Sequence, residues 1–173
     1  MERSVEAAVL NPLEAHVTQK ASITLKEGDP APDIRLETDA GDPFQLSSLL
    51  GKKVVLYFYP KADTPGCTTE ACGFRDHSKA YAHHNAVIIG ISPDRSASQA
   101  NFKTKYGLPF TLLCDVDKKA AQAYGVLKKK NMYGRTVLGI ERTTFLIDEH
   151  GKIRNIFQKV RPQGHAEEVL GTL

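Results

Sequence analysis

Two short apolar runs, Val54-Val55-Leu56-Tyr57-Phe58-Tyr59 and Val87-Ile88-Ile89-Gly90-Ile91, are separated by a stretch of helical length, about Gly66 to His83. A second helix is expected over about Ser96 to Tyr106. Strand, helix, strand and helix in that order imply parallel strands joined by right-handed crossovers. Ahead of them, Ile34-Arg35-Leu36 and Phe44-Gln45-Leu46 flank Asp39-Ala40-Gly41-Asp42, a turn signal that predicts an N-terminal β-hairpin. Behind them come a strand at Phe110–Leu113, a short helix near Lys118–Tyr124 and a strand at Thr143–Ile147. A turn at Glu149–Lys152 leads into a strand at Ile153–Phe157, and Gly164–Leu170 closes as a helix. The fold class is α/β, a central mixed sheet flanked by helices, with no internal repeat.

The chain has 173 residues, enough for one ordinary domain whose core needs no disulfide or metal staple. Its 25% charged and 41% hydrophobic residues are those of a soluble globular protein. The net charge of +3 is interspersed along the chain, too weak a bias to imply a nucleic-acid partner. The densest basic cluster, Lys128-Lys129-Lys130, reads as a solvated turn after a short helix. No apolar run is longer than Val54–Tyr59, far short of the roughly 20 residues that span a bilayer, so no membrane partner is expected. Residues 1–21 contain nothing more apolar than Ala7-Ala8-Val9-Leu10 and carry Glu2, Glu6 and Glu14, which argues against a signal or transit peptide. These residues form an extension with no assigned role, residues 22–173 form the domain, and the expected location is cytoplasmic.

Three cysteines, an odd count, fit a reducing compartment in which thiols are chemical tools. Cys67 lies in Pro60-Lys61-Ala62-Asp63-Thr64-Pro65-Gly66-Cys67, where a strand hands over to a helix. Unpaired N–H groups and the positive end of the macrodipole at a helix N-terminus favour a thiolate, which makes Cys67 the candidate nucleophile. The backbone N–H groups of Gly66 and Cys67 complete the anion nest there. Cys72 follows five positions on, which in a helix holds the two Cα atoms about 8 to 9 Å apart. A disulfide needs less than about 7 Å, so pairing the two would require the first turns of the helix to unwind. Cys72 taken alone is as readily a small buried hydrophobe, and Cys114, after an apolar strand, reads as a packing residue. The three cysteines lack the spacing of a zinc site. The six histidines, His16, His77, His83, His84, His150 and His165, read as solvated, and Glu70, Arg75 and Asp76 as charge pairs along the helix. Glu70 and Arg75 have two other readings, steering a docking reductant or holding the helix together.

The loop matches P-x-x-x-T-x-x-C at Pro60, Thr64 and Cys67 and resembles that of the peroxiredoxins. The tract Thr64-Pro65-Gly66-Cys67-Thr68-Thr69-Glu70-Ala71-Cys72, with Asn131–Gly134 and Gly139–Phe145, is similar to the branch called bacterioferritin comigratory protein or peroxiredoxin Q. The resemblance runs from about Gly28 to the C-terminus and implies a thioredoxin-like fold, which the order of elements also fits. It implies a thiol-dependent peroxidase acting on hydrogen peroxide and alkyl hydroperoxides through Cys67. It makes Cys72 the resolving thiol in an intrachain disulfide, with thioredoxin or a similar dithiol as reductant. It makes Arg142 the charge brought to the sulfur, a permanent donor fork that lysine would not reproduce. Thr64 would accept from the peroxide and donate to the thiolate, and Pro60, without an N–H, would shape the pocket floor. It implies no metal or organic cofactor, and a monomer, with a weak dimer as the alternative. Two other functions share these residues: a general thiol-disulfide oxidoreductase and a redox-sensing interaction module.

Overall fold

The computed structural model describes residues 24–173, so the expectations for residues 1–21 lie outside the described residues. Strands β1 (Arg35–Thr38) and β2 (Pro43–Gln45) form the expected N-terminal hairpin. A 3-10 turn at Leu46–Leu49 leads to β3 (Lys53–Phe58), helix α1 (Pro65–Asp76) and helix α2 (Ser78–His83). Then follow β4 (Ala86–Ser92), α3 (Ser96–Tyr106), β5 (Thr111–Cys114) and α4 (Lys119–Ala123). A ribbon of β6 (Leu127–Met132) and β7 (Arg135–Ile140) precedes β8 (Thr143–Ile147), β9 (Ile153–Phe157) and α5 (His165–Leu170).

Seven strands make one mixed sheet in the order β2-β1-β5-β4-β3-β8-β9. The pairs β3–β4 and β4–β5 are parallel, as the crossover helices require, while β8 returns antiparallel beside β3. Residues 54–59 are all buried, and their side chains alternate between two cores as strand geometry dictates. Val54, Leu56 and Phe58 join Ile89, Ile91, Tyr124 and Phe145 on one face. Val55, Tyr57 and Tyr59 join Ala71, Phe74, Tyr81 and Phe102 on the other, together with Cys67. The helix bearing the candidate nucleophile is thus pinned to the sheet by its own apolar face. No helix among the described residues is long and apolar enough to cross a membrane.

Two expectations are corrected. The single helix over 66–83 is two helices that break at His77, whose backbone N–H and ring Nδ1 both lie on the Gly73 carbonyl, at 3.3 and 2.9 Å. A side chain that competes for the i−4 carbonyl loosens the helical ladder there. Lys128–Lys130 is not a turn but part of β6, paired along its length with β7. The turn is Tyr133-Gly134, both with positive φ (53° and 79°), the two-residue hairpin geometry whose twist suits antiparallel strands.

Candidate active site

The loop of Pro60 to Thr64 carries the chain from the end of β3 to α1, and a buried polar network underpins it. The Ala62 N–H donates to Asp94 Oδ2 at 2.7 Å, and Asp94 also accepts from the Ser92 hydroxyl. Gln99 donates to Ser92 and to the Leu113 carbonyl and accepts from the Tyr59 hydroxyl. Thr64 is the N-cap of α1, in extended conformation, and Pro65 occupies the first helical position. Proline fits there because that N–H would lack a partner in any helix. No side chain among the described residues caps the helix, so the amides of Gly66 and Cys67 at its start are left for another acceptor. Cys67 follows in the first turn, 1% exposed.

Arg142 reaches this point from far along the chain because β8 runs antiparallel to β3, pairing Thr143 with Phe58. The residue before β8 is thereby delivered to the exit of β3. Its Nη2 donates to Cys67 Sγ at 3.3 Å across 75 residues of sequence. Its Nη1 donates to Glu70 Oε1 at 2.7 Å, and the Arg142 backbone is held through its carbonyl, which accepts from Val160 N–H. A Cβ on Gly66 would stand 3.1 Å from Nη2 and 3.4 Å from Pro162 Cγ, so the bare Cα lets the guanidinium lie against the start of the helix. Burial opposes the Arg142 charge, but Glu70 and Cys67 outweigh it and hold the guanidinium more firmly protonated.

Glu70 corrects the reading of a charge pair along the helix, since its partner is Arg142. Glu70 is 1% exposed, one turn after Cys67 on the inner face of α1, and its Oε2 has no hydrogen-bond partner among the described residues. Burial pushes its carboxyl up to about 7, against the pull of Arg142. The sequence signal was its spacing: three residues after Cys67, on the face that also carries Ala71 and Phe74. His165 is a second correction, buried rather than solvated. Its Nε2 lies 2.7 Å from Thr144 Oγ1 and its Nδ1 3.0 Å from Glu168 Oε1, with Phe74 and Phe157 edge-on to the ring. Burial lowers its pKa.

Of the expected site residues, the structure joins Cys67 and Arg142 directly. Pro60 is half-buried at the exit of β3. The Thr64 hydroxyl donates to the Lys61 carbonyl at 2.8 Å and not to the Cys67 sulfur as expected, so its one proton is committed there and its acceptor capacity is what remains. Cys72 is half-buried, two turns into α1, and is not bonded to Cys67. Arg75 pairs with Asp76 at 2.9 Å, as expected of helix charges.

The sequence profile of the AhpC/TSA family matches residues 27–156. A putative peroxiredoxin bcp of Coxiella burnetii is 50% identical over 151 residues, which cover 87% of this chain and 100% of that protein. Peroxiredoxin Bcp of Bacillus subtilis is 48% identical over 87% of this chain and 96% of that protein. Among solved structures, a cysteine-to-serine mutant of Xylella fastidiosa PrxQ aligns with a TM-score of 0.82 at 35% identity, covering 87% of this chain and 96% of its own. The bacterioferritin comigratory protein of Xanthomonas campestris, with alkyl peroxide reduction activity, aligns with a TM-score of 0.78 at 40% identity, covering 80% and 88%. The mixed sheet and its flanking helices are thus the thioredoxin-like fold of peroxiredoxins. The chain belongs to the AhpC/TSA family, in its Bcp or peroxiredoxin Q branch, and is a thiol peroxidase.

Proposed function

We propose that Cys67 is the peroxidatic thiol, that Cys72 resolves it within the same chain, and that a thioredoxin-type dithiol closes the cycle. The observation that carries this reading is the 3.3 Å contact of Arg142 Nη2 with Cys67 Sγ at the uncapped start of α1. The Cys67 thiolate attacks one oxygen of ROOH, forming an S–O bond as the O–O bond breaks. The electron pair leaves on RO⁻, which takes a proton and departs as ROH. Charge moves from sulfur to oxygen throughout, and a fixed guanidinium beside both stabilises it without reorganising. Thr64 and the amides of Gly66 and Cys67 line the approach, and Pro60 closes the floor.

The product is a sulfenic acid at Cys67. Condensation with the Cys72 thiol forms the S–S bond and releases water, before a second peroxide converts the sulfenate to sulfinate. An external dithiol then reduces the disulfide by exchange. Hydrogen peroxide and small alkyl hydroperoxides are the expected substrates, the latter supported by the activity of the Xanthomonas campestris protein.

The test is NADPH consumption with hydrogen peroxide, thioredoxin and thioredoxin reductase, using wild type, Cys67→Ser and Cys72→Ser. Many turnovers in wild type and none in either variant are expected. Sustained turnover in Cys72→Ser would overturn its resolving role, and faster reduction of protein disulfides than of peroxide would favour a disulfide oxidoreductase. Oxidation of Cys67 without turnover would favour a sensor.

A further inference from the structure

We propose that Tyr106, the last residue of α3, is a positioning residue for the resolving step, a clasp on both ends of the segment that carries the two cysteines. This rests on the reading that Cys72 resolves Cys67. Ahead of the cysteines, the Tyr106 hydroxyl donates to Asp63 Oδ1 at 2.9 Å, and Lys105 Nζ lies 3.0 Å from Asp63 Oδ2. Asp63 takes a positive φ of 61°, a conformation rare outside glycine that such contacts hold in place. Behind the cysteines, Arg75 Nη1 donates to the Tyr106 carbonyl at 2.8 Å. That carbonyl is in the last turn of α3, where the helix itself supplies no donor and the macrodipole favours a cation. One residue therefore grips positions 63 and 75, and Cys67 and Cys72 lie between. Its ring is steadied by Phe102, edge-on at 5.6 Å, and by Lys105 Nζ at 5.3 Å from the centroid.

Closing the Cys67–Cys72 bond requires α1 to give up its first turns, because a helix holds the two Cα atoms farther apart than the roughly 7 Å a disulfide spans. Thr64 and Phe74 bound the stretch that can move. The loop before it is fixed by Ala62 on Asp94, and Phe74 is fully buried against Tyr57 and Tyr81. The Arg75 bond adds to the hold on the trailing end, so it opposes the excursion that brings Cys72 to the sulfenate. Two fates compete for that sulfenate: condensation with Cys72, releasing water, or a second peroxide oxygen, giving sulfinate and ROH. The clasp sets the first rate and leaves the second to Arg142 and the pocket. A tighter clasp makes the chain easier to over-oxidise, a looser one harder.

The experiment is a rapid-quench time course with hydrogen peroxide and reduced protein, with sulfenate, Cys67–Cys72 disulfide and sulfinate measured by mass spectrometry. Arg75→Met keeps the aliphatic stem and removes the donor; it is expected to close the disulfide about three- to tenfold faster, from the loss of the charge-assisted bond to the Tyr106 carbonyl, the exposed Asp76 pair going with it. The peroxide concentration that gives half sulfinate should rise by the same factor, while the first oxidation of Cys67 keeps its rate. Arg75→Lys should return part of the wild-type behaviour, and Tyr106→Phe, which leaves Lys105 on Asp63, should give a smaller acceleration. Ile153→Val, a buried substitution in the opposite core, is the control for general loss of stability: it should lower Tm and leave closure unchanged. Closure in Arg75→Met that is unchanged or slower overturns the clasp, as does equal acceleration in Ile153→Val. If the wild type forms no Cys67–Cys72 disulfide, the resolving role falls and the clasp with it; if the disulfide forms at one rate in all variants, the clasp alone falls.

Discussion

Cys67 and Cys114 are both buried, Cys67 in the first turn of the helix that follows β3 and Cys114 at the end of β5, yet their electrical settings are opposite. Cys67 has a guanidinium 3.3 Å from its sulfur and the uncapped start of a helix around it. Cys114 ends β5 with its thiol on the Thr38 carbonyl at 3.7 Å, and Glu37, Asp39 and Asp94 are the charges that act on it. Burial first, and those carboxylates after it, push the Cys114 thiol up to about 11. Burial by itself keeps a thiol protonated and inert. The two thiols differ in the fixed cation that the fold carries to Cys67 by pairing β8 with β3.

The widest separation between the two comes from deleting each sulfur. Cys67→Ser is expected to reduce thioredoxin-coupled peroxidase activity to the buffer background, whereas Cys114→Ala keeps kcat/KM within about twofold. Loss of turnover in both would make Cys114 part of the cycle and dissolve the contrast.

Next in size is the removal of the cation. Arg142→Ala should slow single-turnover oxidation of Cys67 by about 10²- to 10³-fold, the usual scale for losing one charge stabiliser in the transition state. Arg142→Lys should recover only part, because an ammonium cannot bond the sulfur and Glu70 through one planar fork. Neither change should alter Cys114 alkylation. The fold is expected to survive the loss, because the Glu70 carboxyl, already raised by burial, can take a proton once Arg142 is gone. An Arg142→Ala rate close to wild type would remove the cation from the explanation.

Glu70 gives a thermodynamic test of the same site. Its folded pKa of about 7 lies above the ordinary 4.5, so its proton favours the folded state. That stabilisation is complete below about pH 4.5 and is lost as pH rises through 7, a span worth roughly 3 kcal/mol. Glu70→Gln keeps a neutral, hydrogen-bonding side chain beside Arg142 and should not show the loss. Thermal melts from pH 4.5 to 8 should therefore show the variant gaining on the wild type as pH rises, and parallel curves would contradict the shift.

How far the sequence reached follows from which signals were local. Thr143–Ile147 and Ile153–Phe157 were read to the residue because each is a short segment bounded by a turn or a charged stretch. Cys67 at a strand-to-helix junction was legible for the same reason. The ribbon of β6 and β7 was not: Lys128-Lys129-Lys130-Asn131 lacks the alternation of a half-buried strand, because Lys128, Lys129 and Asn131 are exposed and, among the described residues, the two strands pair only with each other. The pairing of Glu70 with Arg142 was hidden because the two lie 72 residues apart and meet only through sheet register. His165 was hidden likewise, its ring closed in by Thr144, Phe74 and Phe157 from three other elements. Local pattern locates a nucleophile, but tertiary pairing decides which charges stand beside it.

The smallest expected effect lies at the inert end of the comparison. The Cys114 thiol, about 11 in the folded chain against an ordinary 9.0, favours the folded state while protonated. That contribution is full below pH 9 and disappears as pH rises through 11. Relative to Cys114→Ala, which has no such group, the wild type should lose a few degrees of Tm between pH 9 and 11, after the constant offset from the missing sulfur is subtracted. Native-state alkylation should follow the same axis, with Cys114 slow at pH 8 and gaining close to tenfold per pH unit as the thiolate fraction grows. If Cys114 instead reacts at pH 8 as readily as Cys67, burial and three nearby carboxylates are not enough to silence a thiol at a strand end, and the difference between the two sites has to be sought in access rather than in charge.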